Sequence, residues 1–525
     1  MSRGDASSPG EVDSEGDGLP AFPLRVGCVD TGSNAIRFLV TEFRDPTSYE
    51  ILAYERVPVR LGHQVFLTGR LASRTMDAAL EAFSSFRSHL DGFELDAFRA
   101  VATSAVREAK NGDELVETVK KDTGIELEAI SGSEEARLVH LAVASRLDLS
   151  GGQWILTDLG GGSVEVSLVD DMGMLWSESH TMGSVRLLED LSEAQAEPGG
   201  FGRLLSDYVA TLRIPAPAQY WAPAGFVATG GNIEALADLA GARKNARGVA
   251  RLPVRDLASV IDLISRLSYR ERMDSLGLRE DRADVILPAA MVYRHLADLA
   301  EVEEIVVPGV GVKEGIILDL VEEIAFHPGH EFRQEEQLTR AATSLGRRFM
   351  FDEAHGLQVS RLALSLFRQL EDLHGLRTKD RRLLLAASVL HDIGTFISRK
   401  KHHKHSLYLI SRSELPGLSP TEMLMVANIA RYHRKNIPRE HHDDFMRLQE
   451  ADRVRVRRLS ALLRIADALD RSHLQHIRDV EADREAGKIV LRVEGEGDLL
   501  LEKWALRRKA SLFEEIFGQS VFLST

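Results

Sequence analysis

Two stretches of the sequence place an aspartate beside a run of glycine and serine, directly after apolar residues. They are "ILTDLGGGSVEVSLVD", residues 155–170, and "LRVGCVDTGSNAIRFLV", residues 24–40. Backbone N–H groups in such a turn form a concave nest that favours phosphate, because glycine carries no Cβ that would obstruct a ligand. A carboxylate beside a phosphate nest repels the ligand unless a divalent cation lies between them, so Asp158 is predicted to be a partner of Mg²⁺. One copy would indicate a plain tight turn, but two copies, with Asp158 and Asp30 at corresponding positions, favour a phosphate site.

Three further segments carry charged residues that could complete this site. Glu165 alternates with apolar neighbours along a predicted strand, which indicates an exposed side chain at the rim of the loop that could share a metal-bound water. Glu134 and Glu135 fall in the first turn of a predicted helix, where acids complement the helix dipole. A carboxylate facing a bound phosphate could instead act as a general base toward water, and spacing alone does not choose between these roles. Arg107 follows a strand and a small-residue turn, which predicts a position near the cleft.

A second set of ligand-type side chains lies further along the chain. The stretch "LLLAASVLHDIGTFIS" places His391 and Asp392 at the end of an apolar helix, where both can converge on one ion. His355 and Asp467 could complete the set. Asp467 shares a helix face with leucines, and a carboxylate on an apolar face is costly unless it is paired or bound to metal. These four residues are therefore a candidate metal site.

Basic residues gather in the same part of the chain, although the formal net charge is −15. The candidate groove for a polyanion contains Lys400, Lys401, Lys404, His405, His433 and Arg434. Such runs are most often solvated faces, but segments that converge on the cleft would track a polyphosphate chain. We favour structural or substrate-contacting roles for the two histidines over a second metal ion. Few aromatic residues are interleaved, which disfavours base stacking and makes nucleic acid an improbable partner.

The elements that must position these residues fall into five blocks. Residues 1–20 are acidic and rich in glycine and serine, which predicts a disordered tail. Strand and helix signals alternate over residues 21–148 and again over 149–325, which predicts two α/β domains. Residues 326–475 show helical periodicity, and residues 476–525 return to alternation, which predicts a helical domain and a small α/β end-piece.

Composition limits the class of protein. Apolar residues make up 44% and charged residues 28% of the chain, as in globular proteins, and no apolar run approaches the length of a membrane span. The N-terminus lacks the features of a secretory signal. Cys28 is the single cysteine, so an intramolecular disulfide is excluded. We expect a cytoplasmic protein without a membrane partner.

Seven motifs together resemble one known family. In chain order they are "VDTGSNAIRFLV", "ATSAVREAKN", "ISGSEEARL", "TDLGGGSVEV", "MGSVRL", "VATGGNIEALA" and "VPGVGVKEGI". They resemble the exopolyphosphatase and guanosine pentaphosphate phosphohydrolase (Ppx/GppA) family over residues 24 to about 320, and the resemblance continues through the helical region. It implies the ribonuclease H-like α/β fold of actin, sugar kinases and heat-shock ATPases, in two domains. It also implies hydrolysis of the terminal phosphate of inorganic polyphosphate or of pppGpp with Mg²⁺, Mn²⁺ being an alternative, in a homodimer.

The resemblance also implies roles for individual residues. Glu135 would be the base that activates water, and Asp158 and Glu165 would place metal and water. The phosphates would be held by Asp30, Ser33, Asn34, Arg37, Arg107, Gly160, Gly161, Gly162 and Ser163. The sequence departs from the family at Asn232, where threonine is common, and at Lys313, where arginine is common. Both departures retain a hydrogen-bond donor.

The order His355, then His391 and Asp392, then Asp467 resembles the HD metal-dependent phosphohydrolases. This second resemblance implies an HD-type helical domain with a divalent ion of its own. The favoured function is a magnesium-dependent exopolyphosphatase. Hydrolysis of pppGpp by the same site, nucleotide phosphohydrolysis at the HD metal, and non-catalytic sensing of polyphosphate or an alarmone are the alternatives.

Overall fold

The structure is a computed structural model that describes residues 22–191, 200–213, 223–325, 327–434, 436–485, 487–495 and 498–524. The disordered tail predicted for residues 1–20 lies outside the described residues. No helix within these ranges is long and apolar enough to cross a membrane.

The first sheet carries the N-terminal glycine hairpin. Its described strands lie in the order β3-β2-β1-β4-β5. Their bounds are β1 Leu24–Thr31, β2 Ile36–Asp45, β3 Ser48–Val57, β4 Ala97–Ala102 and β5 Leu127–Ala129. The associated helices are α1 Val65–Thr68, α2 Ser73–Leu90, α3 Ser104–Glu108, α4 Gly112–Thr123 and α5 Gly132–Ala144. The antiparallel β1–β2 pair sets Asp30 opposite Arg37, and β4 lies parallel to β1 on its other side.

The second sheet repeats this arrangement with the triple-glycine hairpin. Its order among the described strands is β10-β11-β9-β6-β7-β8. The bounds are β6 Trp154–Leu159, β7 Val164–Asp170, β8 Gly173–His180, β9 Gly225–Thr229, β10 Ala250–Pro253 and β11 Glu304–Val307. Strands β6 and β7 form an antiparallel pair, and β9 lies parallel to β6. The doubled hairpin-plus-parallel-strand pattern is the two-domain α/β fold that the resemblance implies.

Eight described helices accompany the second sheet. They are α6 Ser184–Asp190, α7 Gly200–Val209, α8 Gly231–Leu239, α9 Val254–Arg266, α10 Tyr269–Leu276, α11 Glu280–Ala283, α12 Ile286–Leu299 and α13 Val312–Ala325. Helix α13 packs closely on α5, because a Cβ at Gly315 would lie 2.0 Å from the Leu138 carbonyl oxygen. This close approach fixes the position of α5, whose first turn carries Glu134 and Glu135.

The next region is helical, as its periodicity predicts. The helices are α14 His327–Arg348, α15 Glu353–Gln369, α16 Glu371–His374, α17 Asp380–Leu390, α18 His402–Ser411, α19 Pro420–Arg431, α20 Asp443–Met446 and α21 Glu450–Leu469. A short 3₁₀ turn, Ile393–Phe396, follows α17. Leucines spaced three and four apart, such as Leu459, Leu462 and Leu463 of α21, are fully buried in one core.

The C-terminal residues form a small sheet with two helices, so the predicted return to α/β structure is confirmed. Strands β12 Ile477–Glu485, β13 Lys488–Gly495 and β14 Ser520–Ser524 pair in that order, with α22 Leu500–Lys509 and α23 Ser511–Phe517 between the last two. The apolar side chains of this piece, including Ile489, Leu506 and Phe513, belong to the same core as the helical region. The end-piece therefore packs as part of the helical body and brings Lys509 into it.

Candidate active site

The two glycine hairpins meet across a cavity of about 260 Å³. Its walls include both predicted aspartates, one glutamate of α5 and parts of both turns. These residues are Asp30, Ser33, Asn34, Arg37, Glu135, Asp158, Gly160 and Gly161. The turns touch each other, since a Cβ at Gly161 would lie 2.9 Å from the Cβ of Ser33. Glycine is needed at position 161 for this close approach. The cavity thus brings together residues that are far apart in the sequence.

Two carboxylates of the cavity wall, Glu135 and Asp158, meet a third, Glu165, that does not line the cavity. Asp158 and Glu165 are direct cross-strand partners on β6 and β7, and Glu135 comes from the first turn of α5. One oxygen from each of the three lies within 4.8 Å of the other two. All three side chains are buried, and they form a set with the ligand types that Mg²⁺ prefers.

Glu165 corrects one expectation from the sequence. Alternation along β7 predicts an exposed glutamate, but Glu165 is only 1% exposed because α5 covers that face of the strand. Its Oε1 accepts a hydrogen bond of 2.8 Å from Ser179 Oγ, whereas its buried Oε2 has no hydrogen-bond partner among the described residues. A buried acceptor without a partner is costly, and a bound cation would satisfy it.

The proximity of these acids changes their protonation. Burial, together with the neighbouring charge of Glu165, raises the pKa of Glu135 well above its ordinary value, although Arg107 opposes the shift. Burial and the charge of Asp158 raise the pKa of Glu165 to about 7. Burial also raises the pKa of Asp158, against the hydrogen bond that Thr229 donates to it at 2.6 Å. Ionising all three at neutral pH therefore calls for a cation between them.

The predicted phosphate-binding residues divide into two groups. Asp30, Ser33, Asn34, Arg37, Gly160 and Gly161 line the cavity. Gly162, Ser163 and Arg107 do not. A Cβ at Gly162 would lie 2.4 Å from the Phe66 ring, so this glycine permits packing. The Ser163 side chain opposes the rise in the pKa of Glu165. Arg107 contacts Glu135 at 3.5 Å and the Ile130 carbonyl at 2.7 Å, so it ties the Glu135 side chain to the backbone before α5.

The structure adds cations that the sequence motifs did not reveal. Arg56, Arg279 and Arg282 line the same cavity as Lys313 and Arg37. Arg56 also forms an ion pair with Asp281, and Asn34 Nδ2 donates to the Asp281 carbonyl at 2.8 Å. These contacts join the two α/β domains across the mouth of the cavity. No sequence spacing marks them, because they come from strand β3 and from the segment before α12.

A second cluster forms in the helical region, where four histidines face one another. Each uses Nδ1 locally: His355 toward Asp470 at 2.8 Å, His391 toward the Ser388 carbonyl at 2.7 Å, His402 toward the Arg399 carbonyl at 3.1 Å, and His433 toward the Ala430 carbonyl at 2.6 Å. A carbonyl only accepts, so at least three of the rings carry their proton on Nδ1 and leave Nε2 as a free lone pair. This orientation is typical of metal-ligating histidines.

The Nε2 atoms come together in pairs around two carboxylates. The separation is 3.2 Å between His355 and His391, and also 3.2 Å between His402 and His433. Asp392 Oδ1 lies 3.1 Å from His402 Nε2 and 3.3 Å from His433 Nε2. Two facing lone pairs repel each other unless a proton or a metal ion lies between them. Against the effect of burial, nearby carboxylates raise the pKa values of His355 and His402, one ring of each pair. Imidazole with carboxylate is a donor set that suits transition metals.

The predicted set of four, His355, His391, Asp392 and Asp467, is thus brought together, since His355, His391 and Asp467 offer atoms within 4.8 Å of one another. His433 belongs to the cluster, against the role that the sequence favoured for it. His402 was missed, and His405 lies outside the cluster. Lys509 of α22 also reaches in and forms an ion pair with Asp467.

The basic residues of the candidate groove lie beside this second cluster and not on the walls of the carboxylate cavity. Lys400, Lys401 and Lys404 are exposed around the start of α18, and Arg434 follows His433. Burial and the charges of His402, Arg434, Arg431 and Lys404 lower the pKa of His403 to about 4, which shows how closely these cations gather. These basic residues therefore do not line the first cavity, and their role as a polyphosphate groove stays a prediction.

Comparisons with known proteins match both halves of the chain. A family model described as the Ppx/GppA phosphatase family matches residues 40–324, and one described as Ppx/GppA phosphatase, domain III, matches residues 339–509. A guanosine-5′-triphosphate,3′-diphosphate pyrophosphatase of Vibrio vulnificus is 27% identical over 420 residues, covering 79% of this chain and 82% of that protein. The protein of the same name from Photobacterium profundum is 25% identical over 452 residues, covering 85% and 87%.

A solved structure resembles the chain in three dimensions. The crystal structure of an exopolyphosphatase from Cytophaga hutchinsonii aligns with a TM-score of 0.51 and 25% sequence identity. The alignment covers 57% of this chain and 98% of that chain. Nearly the whole of that protein therefore corresponds to little more than half of this one.

Proposed function

The chain belongs to the Ppx/GppA phosphatase family, whose members hydrolyse phosphoanhydride bonds, and from this premise we propose that it is a magnesium-dependent exopolyphosphatase that removes the terminal phosphate of inorganic polyphosphate. One observation carries the proposal: Glu135, Asp158 and Glu165 offer oxygens within 4.8 Å of one another beside a cavity formed by two glycine turns. Family membership makes the chain an enzyme, which sets the sensing alternative aside.

Each carboxylate has a distinct part in this proposal. Asp158 and Glu165 would hold Mg²⁺, which when bound supplies positive charge to the phosphate oxygens. Glu135 accepts a proton from the attacking water. Burial and the charge of Glu165 raise its pKa in the metal-free state, and a bound cation would oppose that rise and favour the carboxylate form. Arg107, which does not line the cavity, would keep Glu135 oriented through their contact.

The remainder of the substrate would lie among the cations of the cavity. Arg37, Arg56, Arg279, Arg282 and Lys313 line its walls, and a chain of phosphates carries charge along its whole length. The N–H groups of Gly32 and Gly160 donate to the carbonyls of Ala35 and Ser163 and close the two turns. Other backbone N–H groups of these turns would bind the terminal phosphate. Charge neutralisation and positioning are the main requirements of phosphoryl transfer, and these groups supply both.

Hydrolysis of pppGpp by the same site is the second candidate, and one feature of the cavity favours it. Tyr54 is the one aromatic residue among the described residues that line the cavity, and it is 51% exposed. A half-exposed ring beside arginines can stack on a purine base. Relatives named for hydrolysis of this nucleotide support the same candidate. Tyr54→Ala should therefore lower kcat/KM for pppGpp more than for polyphosphate.

The deciding experiment compares both substrates on the purified protein. Phosphate release from long-chain polyphosphate and from pppGpp is measured with Mg²⁺, with Mn²⁺ and with chelator. The proposal expects a higher kcat/KM for polyphosphate with Mg²⁺ and no release with chelator. A higher kcat/KM for pppGpp selects the second candidate, and release that persists with chelator contradicts the metal-dependent site.

We further propose that the helical region is an HD-type domain that holds a divalent transition metal. Four Nε2 atoms converge on Asp392 and Asp467, and this arrangement supports a bound metal ion with either a catalytic or a structural role. Nucleotide phosphohydrolysis at this metal is the third candidate activity. Metal analysis of the purified protein, together with assays of His391→Ala and Asp392→Ala, separates a catalytic metal from a structural one.

Two further properties also stay proposals. One is the homodimer that the resemblance implies. The other, a cytoplasmic location, rests not on the resemblance but on the single cysteine, Cys28. Light scattering after gel filtration measures the first, and fractionation of cells measures the second. A monomer in solution would contradict the dimer.

A further inference from the structure

The helical region contacts α5 at its first turn, which carries Glu135 and is called the catalytic turn below. The contact is made by residues 412–418, the connection between α18 and α19, which we call the clamp loop. Glu414 Oε2 accepts a hydrogen bond of 3.0 Å from the backbone N–H of Ser133. Three residues later, the backbone N–H of Gly417 donates to Glu134 Oε2 at 2.9 Å. The two bonds run in opposite directions across the same interface.

The first bond caps the start of α5. A helix begins with N–H groups that have no partner within the helix. The Ser131 hydroxyl accepts from the N–H of Glu134, and the Glu414 carboxylate accepts from the N–H of Ser133. Carboxylates are strong acceptors at this end of a helix, where they also complement the dipole. One of the two caps on the catalytic turn therefore comes from 281 residues further along the chain.

The second bond reaches the residue directly before Glu135. Glu134 is buried and accepts from Arg137 Nε at 2.8 Å, and it lies 3.3 Å from Arg99. Both arginines also contact Asp319 of α13. Glu134 thus links α5 to β4 through Arg99. The two arginines extend the link to α13, and Gly417 joins Glu134 to the clamp loop. The position of the next residue, Glu135, depends on this set of contacts.

We propose that the clamp loop positions the catalytic turn, with Glu414 and Glu134 as positioning residues for the base Glu135. Neither side chain needs to touch substrate for this role. A general base must lie within hydrogen-bond reach of the water that it deprotonates, and small displacements of a catalytic group are costly. The helical region then contributes to hydrolysis in the cleft whether or not its own cluster binds metal.

Glu414 is suited to a test because its side chain is exposed, so replacing it removes no contact in the core. For Glu414→Ala we expect kcat to fall about 3- to 10-fold with KM changed by less than about twofold, since one hydrogen bond to a charged group is lost. Glu414→Gln keeps an acceptor oxygen and should recover most of kcat. Glu422→Ala is the control, because Glu422 caps α19 locally through Ser419 and does not touch α5.

A second readout does not depend on activity. Hydrogen exchange of the amides of Ser133 and its neighbours in α5 should be faster in Glu414→Ala than in the wild type or in Glu422→Ala. The activity measurement rests on the proposed function, whereas the exchange measurement does not. A wild type that releases no phosphate would refute the proposed function and leave the exchange result as the test of the clamp.

The buried Glu134 gives a stronger but less selective variant. Glu134→Gln should lower kcat more than Glu414→Ala, and a lowered Tm would show that it also affects folding. Two results would overturn the clamp: exchange and kcat in Glu414→Ala that match the wild type within twofold, or equal impairment of Glu414→Ala and Glu414→Gln. The second result would assign the effect to charge and not to the hydrogen bond.

Discussion

Two clusters of buried ligand atoms can be compared: the three carboxylates of the cleft, called the cleft cluster, and the histidines and carboxylates of the helical region, called the helical cluster. They are built from different atoms. Glu135, Asp158 and Glu165 present only oxygens, whereas the helical cluster combines four imidazole nitrogens with the carboxylates of Asp392 and Asp467. Oxygen sets suit Mg²⁺, and mixed nitrogen and oxygen sets suit transition metals. The comparison shows two buried clusters whose ligand types suit different cations.

The two clusters also differ in the charge that the protein itself provides. In the cleft, burial raises the pKa values of the three carboxylates, and the charge of a neighbouring acid adds to each shift. In the helical cluster, burial opposes ionisation, yet Lys509 and the nearby histidines lower the pKa of Asp467, and His391 with its neighbours lowers that of Asp392. The cleft therefore depends on an added cation, whereas the helical cluster already contains Lys509.

The largest expected difference between the regions is catalytic. Asp158→Asn should lower kcat/KM for long-chain polyphosphate by about 10³-fold, because a bound metal ion supplies several kcal/mol to the transition state. His391→Ala should stay within about twofold of the wild type. Asp171→Asn is the control, because Asp171 is an exposed acid directly after strand β7 of the triple-glycine hairpin. Equal losses in Asp158→Asn and His391→Ala would break the separation of the two clusters.

Metal affinity gives the next contrast. His402→Ala should weaken binding of Zn²⁺ or Mn²⁺ to the helical cluster by about 10- to 100-fold, the range found for changes around metal ligands. His405→Ala is a matched control, because His405 lies on the same helix and outside the cluster. Calorimetric titration measures both, and identical affinities in the two variants would contradict the assignment of His402.

The raised pKa of Glu165 predicts a stability effect in metal-free protein. The folded state keeps this proton up to pH about 7, whereas the unfolded chain loses it near the ordinary value of 4.5, so wild-type stability falls between those pH values. With chelator, Glu165→Gln should therefore exceed the wild type by up to about 3 kcal/mol at pH 8 and match it below pH 4.5. Urea unfolding at both pH values checks this. A difference that does not change with pH would contradict the shift.

The smallest expected effect concerns the basic residues beside the helical cluster. Replacing Lys400, Lys401 and Lys404 by glutamine should reduce the salt dependence of long-chain polyphosphate binding and leave kcat unchanged. The exposed lysines Lys110, Lys120 and Lys121 of the first domain, replaced in the same way, are the control. Equal effects of the two triple variants would mean that the polymer does not follow this surface.

Sequence reasoning reached the parts of the site that lie in local motifs. Both hairpins follow from glycine turns and strand ends, whereas the place of Glu135 beside Asp158 was an expectation from the family resemblance. Sequence reasoning did not identify Arg56 and Arg282, because their position on the cavity wall depends on how the two α/β domains pack against each other. The domain boundaries stay predictions.

The histidines show a second limit. His402, His403 and His405 occur within four residues, and which of them faces the core depends on the rotational phase of α18. That phase is set where the helix begins, after Lys401 with its left-handed backbone, and by packing against α19. Neither feature is visible in the spacing of the residues. The sequence therefore indicated a metal site but not all of its ligands.

The most direct test of the central claim is phosphate release by Glu135→Gln in saturating Mg²⁺. If Glu135 is the base, kcat should fall by about 10²- to 10⁴-fold, while binding of polyphosphate changes by less than about threefold. Glu128→Gln, a more exposed acid on the strand before α5, should behave as the wild type. Phosphate release by Glu135→Gln at the wild-type rate would contradict the account.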